Sequence, residues 1–153
     1  MYGFKPYGDK DTNVSEEIIK RLPRRMSVKT VILPVKFSSK QFLDAVRTTK
    51  PHAILGLGEC GRGVNIREER KAVNYRIVPR GPKFREMNTK LKPDPRIRVS
   101  YDAGSYVCNF SMYILADVAE RRRLKFAFLH IPHAYNANKA TRVVRTKLRE
   151  LAM

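Results

Sequence analysis

Two residues able to do covalent chemistry fall at the ends of neighbouring apolar segments in this chain. Cys108 lies in Asp102-Ala103-Gly104-Ser105-Tyr106-Val107-Cys108-Asn109. Before it, residues 97–101 alternate as a short strand does. After it, Phe110 to Val118 has a helical apolar period. Cys108 therefore belongs in the first turn of a helix, where unpaired N–H groups and the positive end of the dipole favour a thiolate. His130 sits near the end of the apolar run Phe126–Ile131, which reads as a buried strand. The two lie on consecutive strand–helix units, so their strand ends are expected to be neighbours. A thiol and an imidazole are the minimum for nucleophilic acyl transfer, the imidazole serving as base and then as acid. The bland alternatives are a small buried hydrophobe for Cys108 and a hydrogen-bonded core imidazole for His130. His133 follows Pro132 in loop-like sequence and is read as facing solvent. His52 belongs to the opposite, N-terminal edge of its strand and is discounted.

A third group must orient the imidazole. Glu68 and Glu69 both lie after the glycine-rich stretch, and each also reads as a surface carboxylate paired with Arg70. Residue type alone does not separate them. Phe4 and Tyr7 flank Lys5-Pro6 in an early aromatic loop. They are either core packing or a pair of aromatic plates around a small flat ligand.

The elements that must position these groups alternate. A helix opens at Asn13 or Ser15, with Glu16 and Glu17 in its first turn, and stops before Pro23. Val28–Val35 reads as a strand. Ser38-Ser39 caps a second helix that buries Phe42, Leu43 and Val46. Residues 53–57 form a short buried strand leading into Gly56, Gly58, Gly61 and Gly63. Their spacing does not match a phosphate-binding loop, so a tight strand exit with close backbone approach is expected. Strand 97–101, helix 105–119 and strand 126–131 follow. The last helix starts at Asn136 or Asn138 and turns Val143, Val144, Leu148 and Leu151 inward. Arg80–Pro95 is rich in Pro and Lys and reads as an exposed excursion. The pattern predicts an α/β fold with parallel crossovers, a sheet covered on both faces, and a crevice beyond the C-terminal strand ends.

Composition narrows the class. At 153 residues and 42% hydrophobic content, residues 1–153 are expected to form a single domain with a real core. No run is long enough to span a membrane and no secretory leader is evident, so a cytoplasmic protein is expected. Cys60 and Cys108 read as free thiols in a reducing compartment. No ligand set has metal-like spacing and no cofactor is expected. The charge stands apart. Thirty-two Lys and Arg against fourteen Asp and Glu give +18, which raises the prospect of an anionic partner such as RNA.

Several blocks, spread in order along nearly the whole chain, carry a resemblance. Gly3-Phe4-Lys5-Pro6-Tyr7-Gly8 with Asn13-Val14-Ser15, then Leu33-Pro34-Val35, Glu69-Arg70-Lys71-Ala72-Val73-Asn74, the Cys108 motif and Phe128-Leu129-His130-Ile131-Pro132 resemble the pyroglutamyl peptidase I family of cysteine peptidases. The resemblance implies an α/β/α sandwich that removes N-terminal pyroglutamate from peptides through an acyl-enzyme. It assigns Cys108 as nucleophile, His130 as base, Glu69 rather than Glu68 as the orienting acid, and Phe4 and Tyr7 as the aromatic pair on the lactam ring. It implies cytosolic homo-oligomers that work without metal. Only Met1-Tyr2 precede the opening block, Tyr7 stands for Phe and Val14 for Pro, and the segment from Asn74 to Tyr101 is short. These departures leave room for a sheet without its first strand. They also leave a second reading, an inactive peptidase fold retained as a basic RNA or ribonucleoprotein component.

Overall fold

The computed structural model describes all residues, Met1–Met153. Its elements are β1 (Tyr2–Phe4), α1 (Val14–Lys20), β2 (Val31–Leu33), α2 (Ser39–Thr49), β3 (Ala53–Cys60), β4 (Ile66–Glu69), β5 (Lys71–Val73), β6 (Phe84–Glu86), β7 (Ile97–Ser100), α3 (Val107–Arg122), β8 (Lys125–Pro132) and α4 (Ala137–Ala152). Six strands form one sheet in the order β2-β1-β3-β8-β4-β7, and β5 and β6 make a separate antiparallel pair.

Helix ends follow from local chemistry. The Asn13 side chain accepts the Ser15 N–H at the start of α1, and Glu16 and Glu17 sit in its positive first turn. Asn136, rather than Asn138, caps α4 by accepting the Lys139 N–H. Helices α2 and α3 end on Lys50 and Arg123, both left-handed, a place usually taken by glycine.

Strand alternation then splits the core in two. Phe4, Phe126 and Phe128 face α2 and α3, in a cluster of 18 buried residues. Leu55, Leu57, Ala127, Leu129 and Ile131 face α1 and α4, in a cluster of 15. Helices therefore cover both faces, and the architecture is a three-layer α/β/α sandwich.

Several sequence expectations are corrected. The first strand is present: Tyr2–Phe4, expected as loop, pairs in parallel with both β2 and β3. Strand β2 is only three residues long, and β3 runs on to Cys60, so Gly56 and Gly58 lie inside a strand and not in its exit turn. Leu43 is exposed, since α2 turns Phe42 and Val46 inward. The 97–101 and 126–131 strands are not parallel neighbours. Strand β4 lies between them, antiparallel to β8 and parallel to β7. Part of the Arg80–Pro95 excursion is the β6 arm of the small hairpin. All four helices start at the end of the sheet where β3 and β8 finish, and all four return to the end where those strands begin.

Candidate active site

Alternation on β8 aims Phe128 and His130 at the layer of α2 and α3. Strand β4 meets β8 with Arg67 opposite His130 and Glu69 opposite Phe128, so Arg67 and Glu69 share that face. His130 Nδ1 lies 2.8 Å from Glu69 Oε1. A carboxylate on Nδ1 holds the ring proton there and leaves Nε2 as the acceptor. Phe128 packs edge-on against the imidazole with ring centroids 5.2 Å apart, which fixes its plane. Arg67 Nε is 3.3 Å from the same Glu69 oxygen, which sets a guanidinium beside the fully buried acid.

Glu68 points to the other face. Its Oε1 accepts the Leu91 N–H and its Oε2 the Arg70 Nη2, each at 2.8 Å. The ion pair expected between Arg70 and either acid thus belongs to Glu68. Glu69 is no surface carboxylate.

Cys108 occupies the second position of α3. A Cβ placed on Gly58 would overlap Cys108 Sγ and come within 3.0 Å of His130 Cδ2. The thiol and the imidazole therefore converge on the space that the glycine leaves empty. Gly58 itself is paired with His130 across the β3–β8 ladder. The sequence placed thiol and histidine together through neighbouring strands. The structure does so through α3, which crosses the sheet above Gly58.

The ionisation of the thiol differs from the expectation of a ready thiolate. Burial, reinforced by Cys60, Glu69 and Glu59, pushes the Cys108 thiol up to about 12. Desolvation is the largest cause, and it favours the neutral thiol. Tyr106 at the N-cap supplies no side-chain hydrogen bond. First-turn N–H groups, that of Cys108 among them, consequently have no intrahelical acceptor.

Sequence reasoning missed two supports. Asn109 is buried and clamps the small hairpin to α3, accepting the Val73 N–H and donating to the Val73 carbonyl, both at 2.8 Å. Glu59 is buried at the end of β3 and accepts from Val14 N, Lys10 Nζ and His133. His133 is thereby engaged away from Cys108. A buried Asn directly after a candidate nucleophile was a usable signal; nothing local marked Glu59. The structure does not bring Phe4 and Tyr7 together. Phe4 is 2% exposed and packs edge-on against Tyr2 and Phe42. Tyr7 is exposed, with Lys10 Nζ 3.1 Å from its hydroxyl. A cavity of about 240 Å³ adjoins the first turn of α3, walled by Phe37, Tyr75, Ile77 and Phe110 with Arg76 and Asn109 as polar members.

Similarity to known proteins follows this geometry. The profile of a family described as pyroglutamyl peptidase matches residues 1–94 and 83–142. The chain belongs to the pyroglutamyl peptidase family. A pyrrolidone-carboxylate peptidase of Enterobacter sp. (strain 638) is 30% identical over 191 residues, spanning 99% of this chain and 88% of that protein. One from Saccharolobus solfataricus is 28% identical, spanning 86% and 77%. The crystal structure of pyroglutamyl peptidase I from Bacillus amyloliquefaciens has the same fold, with a TM-score of 0.85 at 23% identity over 99% of this chain and 93% of that one. No helix is long and apolar enough to cross a membrane.

Proposed function

We propose that this member of the pyroglutamyl peptidase family removes N-terminal pyroglutamate from peptides with Cys108 as nucleophile, His130 as base and acid, and Glu69 as the positioning residue. Residues 1–153 act as one unit in this. The observation that carries the reading is the hydrogen-bonded Glu69–His130 pair facing Cys108 across the gap at Gly58.

The thiol attacks the pyroglutamyl carbonyl carbon as His130 Nε2 takes its proton. A neutral resting thiol makes this proton transfer part of the attack, because no thiolate waits beforehand. The carbonyl oxygen gains negative charge and accepts hydrogen bonds from first-turn N–H groups of α3. Collapse breaks the carbon–nitrogen bond, and His130 returns the proton to the departing amine. Water, deprotonated by His130, then attacks the thioester. This releases pyroglutamate and restores the Cys108 thiol. The lactam ring sits beside Cys108 in this reading, with exposed Tyr7 as its aromatic contact and Phe4, packed on Phe42, as support from within the core.

The test is hydrolysis of a pyroglutamyl coumarin amide by the wild-type protein and by Cys108→Ala. Turnover lost in the variant is expected. A well-folded wild type without turnover overturns the reading.

A further inference from the structure

Strand starts and helix ends meet at the end of the molecule opposite Cys108. Six exposed cations gather there: Lys29, Lys50, Lys90, Arg122, Arg123 and Lys125. Short contacts join their segments into one surface. Lys29 Nζ donates to the Thr49 carbonyl at 3.0 Å, next to Lys50. Lys125 pairs with Ala53 in the β3–β8 ladder. Asn88 Nδ2 donates to the Leu124 carbonyl, and the Phe126 N–H to Thr89 Oγ1, which brings Lys90 alongside.

Two of the acids nearest along the chain are engaged elsewhere: Glu120 reaches Arg85 and Glu150 holds Lys147. Helix dipoles do not account for the cluster. Four helix C-termini carry about −0.5 each, about −2 in all, against six full positive charges. Two of the six, Lys50 and Arg123, occupy left-handed positions with φ of 47° and 55°. Glycine is the easier residue at such a place.

We propose that this basic end binds the phosphate backbone of a nucleic acid while the opposite end stays free for peptide chemistry. A bilayer fits less well, since many of the exposed large apolar side chains, including Phe37, Val64, Tyr75, Tyr101 and Tyr106, lie towards the catalytic end. Contacts are to phosphate and carry no base specificity.

The experiment measures fluorescence anisotropy of a labelled RNA hairpin, a DNA duplex of equal length, and phosphatidylserine vesicles, from 50 to 200 mM salt. Six phosphate contacts predict a log–log slope near −5 on duplex and a loss of affinity of about 10³-fold over that range. The variant Lys29→Gln/Arg122→Gln/Lys125→Gln is expected to flatten the slope by about 3 and to keep wild-type peptide hydrolysis and melting temperature. Lys36→Gln/Lys139→Gln/Arg142→Gln removes equal charge outside the basic end and is expected to leave most of the affinity. RNA and DNA bound alike means shared backbone recognition, and preference for one names the source. Equal losses from both triple variants, binding to vesicles alone, or no binding at 50 mM salt would each overturn the proposal.

Discussion

Cys108 has to lose its proton in a place that resists the loss. Burial holds the thiol near 12, against an ordinary value of 9.0. Below about pH 9 it is neutral in folded and unfolded chains alike. Above that the unfolded chain ionises first, so folding stability declines as pH rises from 9 towards 12, with a limiting slope of about 1.4 kcal/mol per pH unit for one proton. Urea unfolding across this range is expected to show the decline in wild type and a flatter limb in Cys108→Ala. Cys60 and Tyr2, both also raised by burial, keep part of the slope in that variant. Glu69→Gln leaves a hydrogen-bonding group beside His130 but offers an amide that can stabilise the wrong tautomer. Its kcat is expected to fall by up to about 10⁴-fold with little change in KM, as for a buried acid behind a catalytic imidazole. An unchanged kcat would remove Glu69 from its proposed role. Phe4 and Tyr7 separate in the same way. Truncating buried Phe4 to Ala should cost about 3–5 kcal/mol in denaturant titration, while Tyr7→Ala should raise KM at near-native stability. The residues proposed for chemistry were readable because reaction requires particular atoms, and Cys, His and Glu leave few substitutes. Their ionisation was not readable. It depends on how much protein surrounds a sulfur, and that is a property of packing.

Glycine in β3 shows what the element must provide. At Gly56 an added Cβ would overlap Phe128, with the Tyr2 ring 2.7 Å away; at Gly58 it would overlap the Cys108 sulfur. Equal substitutions should therefore fail differently. Gly56→Ala overpacks the core, at about 1–3 kcal/mol in thermal melts. Gly58→Ala displaces Cys108, the proposed nucleophile, and turnover should fall at least 100-fold with a smaller change in melting temperature. The reverse pattern would contradict the placement of α3. Sequence reading found both glycines and the idea of close approach but ended the strand too soon. Glycine normally weakens a strand interior, and the side chains that require these two, Phe128 for Gly56 and Cys108 for Gly58, lie far along the chain. Helix starts at Asn13 and Asn136 were legible because capping is local. The β1 strand was missed because its three residues gain their partners from β2 and β3, both distant in sequence.

Across the whole molecule, four helices with one polarity separate a chemical end from a cationic end. An excess of +18 on a chain this size repels itself. Raising salt from 20 to 300 mM should screen that repulsion and increase the melting temperature without any ligand. A falling or constant value would show that local ion pairs, such as Arg85 with Asp117 or Arg96 with Asp94, outweigh the global term. The layered class was visible in the alternation of elements. The strand order was not, because β4 and β7 run against the other four and no local pattern encodes direction.

Glu68 and Glu69 are adjacent, so β4 carries one carboxylate to each side of the sheet. Sliding β4 by a single residue along β8 would exchange them and bring Glu68 to the imidazole. The Leu91 N–H and Arg70, both fastened to Glu68, oppose that slide. The strand thus contains a spare part, held out of use by two latches. The same slide would carry fully buried Ile66 out of its cluster and turn Arg67 into it, so the two faces of β4 together hold the register that gives the imidazole its acid.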